Sequence, residues 1–147
     1  MKTILLISLL IMSQVIFSQN NSIIKTDNSV GVIFSETYFE EMAQTFTPTT
    51  FEIEKVEKLI ATFNPKSKDY NDDIKKKVNL LSRGKYFRQY FGFDINENNK
   101  VKMILIRFIR INKNSSPEEM RNWEIEPSVD PNIIELKYDV NLNKFYV

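Results

Sequence analysis

At Lys85 the hydrophobic period of the chain changes from helical to two, and that change decides which folds are open to it. Upstream, Val56, Leu59, Ile60 and Phe63 recur at helical spacing and make one apolar stripe, with Glu52, Glu54, Glu57 and Lys58 mostly off it. Thr49-Thr50-Phe51-Glu52 has the form of a capping box, with Pro48 just ahead. Asn64-Pro65 ends this helix, because the residue before proline avoids the α region. A second helix is expected over Asp72 to Leu81, with Ile74, Val78 and Leu81 buried, Lys75-Lys76-Lys77 wet and Gly84 closing it. Downstream, Lys85 to Ile95 alternates. Phe87, Gln89, Phe91, Phe93 and Ile95 lie on one face, and Tyr86, Arg88, Tyr90, Gly92 and Asp94 on the other. After a turn at 96–99, Val101 to Ile111 is apolar on both faces, as a central strand covered on each side should be. Ile133 to Val140 alternates again, 141–144 reads as a turn, and Phe145 to Val147 as a last short strand.

Before the helices, Val30 to Phe34 reads as a strand running on toward Phe39, and 40–47 as a connector. Residues 112–132 hold three prolines and many charges and read as a long loop, with a short strand near Trp123 to Glu126. The expected class is α+β: an N-terminal strand and helix packed on a curled antiparallel sheet of about four to five strands. Element order matches a cystatin-like or NTF2-like arrangement.

The first eighteen residues read as a secretory signal peptide. Met1-Lys2 is a short positive start, Ile4 to Phe17 is an apolar run broken only by Ser8, Ser13 and Gln14, and Ser18-Gln19-Asn20 returns to polar chain. Cleavage is expected between Ser18 and Gln19. A membrane anchor needs about 20 apolar residues, a buried helix would show a polar face or a cap, and a lipoprotein needs a cysteine at the cleavage point. Removing 18 of 147 residues leaves 129, one domain's worth: a flexible arm over 19–30 and a single α+β domain over 31–147. The expected destination is secreted or periplasmic. Loss of Lys2 takes the net charge from +1 to zero, which argues against broad capture of nucleic acid or anionic membrane.

The chain has no cysteine and no histidine. An exported fold without disulfides rests on packing alone. Ser-His-Asp and Cys-His nucleophile systems are excluded, as are zinc sites and haem built on those ligands. Acid–base work would fall to carboxylates, lysines or tyrosines with shifted pKa values. Gly31, Gly84 and Gly92 are the only glycines, too few for a glycine-rich phosphate loop, and no cofactor is implied.

The run Lys85-Tyr86-Phe87-Arg88-Gln89-Tyr90-Phe91-Gly92 resembles the R-Q-Y-x-G strand of small secreted, uncharacterised proteins from Bacteroidetes. Thr47-Pro48-Thr49 matches their Pro-Thr-led helix, and Lys137-Tyr138-Asp139-Val140 their late K-Y-D-L-like strand. Where those proteins often carry D-G-G, this chain has Asp130-Pro131-Asn132, so no role for that turn is carried over. The resemblance spans roughly 31–147 and implies fold and compartment, not chemistry.

Asp94-Ile95-Asn96-Glu97-Asn98 opens like a calcium loop, but the sixth position is Asn99 rather than glycine and the twelfth is Leu105 rather than an acid. It reads as an asparagine-rich turn, and no metal site is assigned. Residues 66–113 carry thirteen Lys/Arg against five acids. Alternation scatters these bases over both sheet faces, which favours a solvated mixed surface over a single-strand nucleic-acid face. Glu40-Glu41 and Glu118-Glu119 are sequence neighbours, which seldom flank one cleft as glycoside hydrolysis requires.

The binding candidates are Tyr86, Arg88 and Tyr90, which share a strand face, and Trp123; no catalytic residue is assigned. If the helix covers the Phe87/Phe91 face, Tyr86, Arg88 and Tyr90 stand open, and Tyr and Arg dominate binding hot spots. The competing reading packs them under the 112–132 loop, with Arg88 paired to an acid such as Asp139 and Trp123 anchoring that loop. The leading expectation is an exported non-enzymatic binding module, an inhibitor or immunity type included, that meets a protein or peptide partner through the open sheet face and the 112–132 loop. The alternatives are a small hydrolase using carboxylates or tyrosines in the sheet's concavity, and a structural envelope component. Convergence of Arg88, Tyr90 and an acid in a pocket with a strongly shifted pKa would favour the hydrolase; a shallow exposed Tyr/Arg surface would favour binding.

Overall fold

Caps set where both helices begin and end. In the computed structural model, which describes residues 21–27, 29–36, 44–95, 101–111 and 133–146, α1 spans Thr50–Ala61 and α2 spans Asp72–Leu81. Glu52 N donates to Thr49 Oγ1 at 3.3 Å and Thr49 N donates to Glu52 Oε2 at 2.8 Å, so the expected capping box is formed. The Thr62 hydroxyl donates to Lys58 O at 2.8 Å and closes α1. At α2, Asn71 Oδ1 accepts from Ile74 N at 2.9 Å, and Ile74, Val78 and Leu81 are buried as their spacing predicts. Gly84 does not close α2. The helix ends at Ser82, whose hydroxyl donates to Asn79 O at 2.7 Å, and Gly84 has no positive φ.

The strands are β1 (Ser22–Lys25), β2 (Val30–Ile33), β3 (Thr45–Phe46), β4 (Tyr86–Asp94), β5 (Lys102–Arg110), β6 (Ile133–Asp139) and β7 (Lys144–Tyr146). They form one sheet in the order β1-β2-β4-β5-β6-β7, with β3 also paired to β4. The class is α+β as expected, but the described residues hold seven strands rather than four to five. The two additions lie in segments read as an arm and a connector. β1 occupies part of 19–30 and pairs with β2; β3 has two residues and pairs with Phe93 and Gly92. Both are too short to show a period in the sequence, and partner strands supply their hydrogen bonds. All pairings are antiparallel except β2–β4, where the chain returns parallel after passing through β3, α1 and α2. β2 ends at Ile33 and does not run on through residues 34–36 as expected; the rest of that continuation, 37–39, and the strand near Trp123 to Glu126 lie outside the described residues. Among the described residues, no helix is long and apolar enough to cross a membrane.

β4 and β5 pair over nine positions, and β5 is central as its apolar faces require. The helices cover the sheet face that carries Tyr90 on β4, Ile104, Ile106 and Phe108 on β5, Leu136 and Tyr138 on β6, and Phe145 on β7. This reverses the expectation that the helix would cover Phe87 and Phe91. The reason lies in the register. Arg88, Tyr90 and Gly92 stand opposite Phe108, Ile106 and Ile104, whereas Gln89 stands opposite Arg107 and Arg107 opposite Glu135. Summed over the strands, the face with Arg88 and Tyr90 is the more apolar one. Phe87 and Phe91 instead join Val32 and Phe34 in a second cluster, where the Phe34 and Phe91 rings stack at 4.4 Å.

Gly92 is where β3 meets β4. A Cβ there would stand 2.3 Å from Phe46 O and 2.9 Å from the Phe46 ring. Gly92→Ala is therefore expected to push β3 off β4 and to destabilise the protein by about 1–3 kcal/mol in urea unfolding, the usual range for overpacking.

Candidate functional site

Glu57 lies on α1 one residue after Val56 and four after Ile53, so it falls within the buried stripe rather than off it. It is 3% exposed. Opposite it, β4 presents Arg88 and Tyr90. Tyr90 Oη donates to Glu57 Oε1 at 2.8 Å, and Arg88 Nε stands 2.9 Å from the same oxygen. The Arg88 contact is an ion pair by distance, but its N–H is not aligned for a hydrogen bond. Arg88 Nη1 donates to Tyr86 O at 3.1 Å, and the guanidinium carbon lies 5.5 Å from the centre of the Phe108 ring. Glu57 Oε2 is buried and has no hydrogen-bond partner among the described residues.

β2 closes the group from the side. Gly31 packs on the β4 backbone so tightly that a Cβ would stand 2.6 Å from Arg88 O and 2.8 Å from Tyr90 Cε2. Burial is the main reason the Tyr90 phenol is held well above its usual pKa. The Glu57 charge adds to the rise, while Arg88 and the Ser29 hydroxyl pull the other way. A phenol so placed is a hydrogen-bond donor, not a base or nucleophile, both of which need a pKa moved toward neutrality.

Two concavities meet at Arg88 and Leu81. One is a recess of about 270 Å³ between α1, α2 and β4, lined by Glu57, Ile60, Ala61, Val78, Leu81 and Arg88 among others. The other, about 430 Å³, opens toward the start of β2 and β4, with Asp27, Ser29, Leu81, Lys85, Tyr86 and Arg88 in its wall.

The structure brings Tyr86, Arg88 and Tyr90 together but does not leave them on an open sheet face. Tyr86 is half-buried in the wall of the larger recess, with its hydroxyl 3.5 Å from Leu80 O. Arg88 lines both recesses. Tyr90 is fully buried behind Glu57 and lines neither of them. Arg88 pairs with Glu57 rather than Asp139, whose carboxylate accepts from Asn141 N and Leu142 N in the β6–β7 turn. Trp123 and the 112–132 loop lie outside the described residues. The expected stripe of Val56, Leu59, Ile60 and Phe63 leaves the acidic member of the site, Glu57, mostly off it; the helix buries Ile53, Val56 and Glu57, so its buried side is centred nearer position 57 than Leu59 and Phe63 suggest.

Lys75 and Lys77 are half-buried rather than wet, and they stand 3.7 and 3.9 Å from the exposed Asp72 and Asp73, in pairs that hold little energy. Arg107 is on the opposite sheet face from Arg88, 2.6 Å from Glu135. No protein-family model matches the chain, and no curated protein or solved structure matches it either.

The Tyr90 shift carries a pH signature. The folded state holds the phenol protonated beyond the point, about pH 10, at which the unfolded chain ionises it. Its contribution to stability is complete below about pH 10 and is lost as pH rises toward the folded-state value. Tyr90→Phe is expected to cost about 2 kcal/mol at pH 7 through the lost bond to the carboxylate. The gap between wild type and variant should narrow above pH 10 in urea unfolding; a constant gap would contradict the raised pKa.

Proposed function

We propose that the protein is an exported, non-enzymatic binding module whose recognition site is the cleft where α1, α2 and the first half of β4 meet. The observation that carries this reading is the placement of Arg88: a guanidinium steadied by a buried carboxylate, in the shared wall of two adjoining concavities. Helix-over-sheet layering supports it, since the cleft forms where the helix layer meets the sheet, and we infer that this layering is of the cystatin-like or NTF2-like kind. The leader composition and the likeness to secreted Bacteroidetes proteins support export. The site is the cleft rather than the open face expected from the sequence, because the helices cover that face.

A hydrolase is the second reading, and one observation favours it: Arg88, Tyr90 and an acid do converge. The direction of the Tyr90 shift weighs against it, because the phenol moves away from the range where it could exchange a proton at neutral pH.

Two measurements test the proposal. Incubated with chromogenic esters, glycosides and phosphodiesters, the protein is expected to give no turnover above buffer; turnover abolished by Glu57→Gln would establish the hydrolase instead. N-terminal sequencing of protein recovered from outside the cytoplasm should begin at Gln19, and an intact Met1 there would refute signal cleavage.

A further inference from the structure

We propose that the smaller recess binds a neutral group that is both hydrogen-bond donor and acceptor, a primary carboxamide on a short aliphatic body, through Glu57 Oε2 and the Arg88 guanidinium. This deepens the binding-module reading and rests on it. The starting point is an imbalance. Glu57 Oε1 receives the Tyr90 hydroxyl at 2.8 Å and faces Arg88 Nε at 2.9 Å, while Oε2 of the same carboxylate, also buried, receives nothing from the described residues. An unpaired buried acceptor costs about 1–3 kcal/mol, more when charged. The oxygen belongs to a residue that is 3% exposed and lines a recess of about 270 Å³. A ligand that supplies an N–H or O–H there recovers that deficit on binding.

The rest of the wall narrows the chemistry. Arg88 stands beside Glu57, so a cationic donor would approach one positive charge to reach one negative charge. An anion would gain Arg88 and meet the Glu57 carboxylate. A carboxamide avoids both conflicts, its NH₂ directed to Oε2 and its carbonyl to the guanidinium. Ile60, Ala61, Val78 and Leu81 offer apolar contact to a short hydrocarbon body. The recess is smaller than the roughly 300–1,000 Å³ of drug-sized sites, which suits a side-chain-sized group rather than a cofactor.

The test is NMR titration of the purified protein, read at the Arg88 Nε–H and the methyl groups of Ile60, Val78 and Leu81. Isobutyramide is compared with isobutylamine and isobutyrate, which share its body and differ in charge. N-acetyl-glutamine methylamide, run in parallel, tells a peptide side chain from a free small amide as the better source of the group. Saturable shifts are expected for an amide, with a dissociation constant on the order of millimolar and at least about tenfold tighter than for the amine or the acid. Ala61→Trp fills the recess from an exposed position outside the buried pair, and it should remove the shifts while the rest of the spectrum stays folded. Tighter binding of the amine or of the acid would overturn the proposal in favour of a cation or an anion site. So would the absence of any saturable shift in the folded protein, or shifts that survive Ala61→Trp. Conversion of isobutyramide to isobutyrate would instead overturn the non-enzymatic reading and leave the ligand class standing.

Discussion

A carboxylate in the helix–sheet interface sets the terms for the elements around it. Taking Glu57 out of water costs several kcal/mol unless its charge is met inside the protein. Arg88 and Tyr90 meet it, and both stand on the β4 face that looks at α1. The contact is therefore directional where the rest of that interface, among Ile53, Val56, Ile106 and Leu136, is not. Apolar packing would tolerate α1 turned or shifted by part of a residue. A 2.8 Å bond from a buried phenol to one carboxylate oxygen would not. The bond fixes the rotation of α1, and with it where the recess opens.

The Arg88–Gly92 run of β4 owes its pattern to these demands. Arg88 supplies the charge for Glu57, Tyr90 the donor and a large buried ring, and Gly92 the space β3 needs against the backbone. Between them, Gln89 and Phe91 point to the other side, where Gln89 is 2% exposed and Phe91 stacks on Phe34. Gly31 completes the arrangement from β2, because a side chain there would strike both Arg88 and Tyr90. Arg88, Tyr90 and Gly31 are thus tied to one another through the parallel β2–β4 pair and not only through the ion pair, and Gly92 joins them through the β3–β4 pair.

What was legible in the sequence follows the range over which each signal acts. Caps and periods are local. Thr49 and the Ile74/Val78/Leu81 line therefore place both helices, and alternation places β4 and β6. β1 and β3 exist because partner strands accept them, and Ser22–Lys25 contains no pattern of its own. The choice of sheet face is also a collective property. Taken alone, β4 offers Phe87 and Phe91 as its apolar side, and only the register with Phe108, Ile106 and Leu136 reverses the balance. Glu57 was hidden for the same reason. A charge on a helix reads as its wet face until the facing strand is known to hold a guanidinium and a phenol.

The Glu57–Arg88 pair is hard to account for by stability alone. Buried ion pairs are often matched or bettered by apolar residues of similar volume. A chain without cysteine has no disulfide to offset a weak interface. Here the pair is not even complete, with one carboxylate oxygen unpaired among the described residues and the Arg88 N–H off the line of its partner. A leucine at position 57 facing a methionine at position 88 would remove both deficits. It would also take the carboxylate and the guanidinium out of the recess walls and leave the buried Tyr90 hydroxyl without its carboxylate acceptor. What the pair adds beyond packing is orientation: with Arg88 Nε 2.9 Å from Glu57 Oε1, the two charges favour one setting of α1 against β4 over its neighbours.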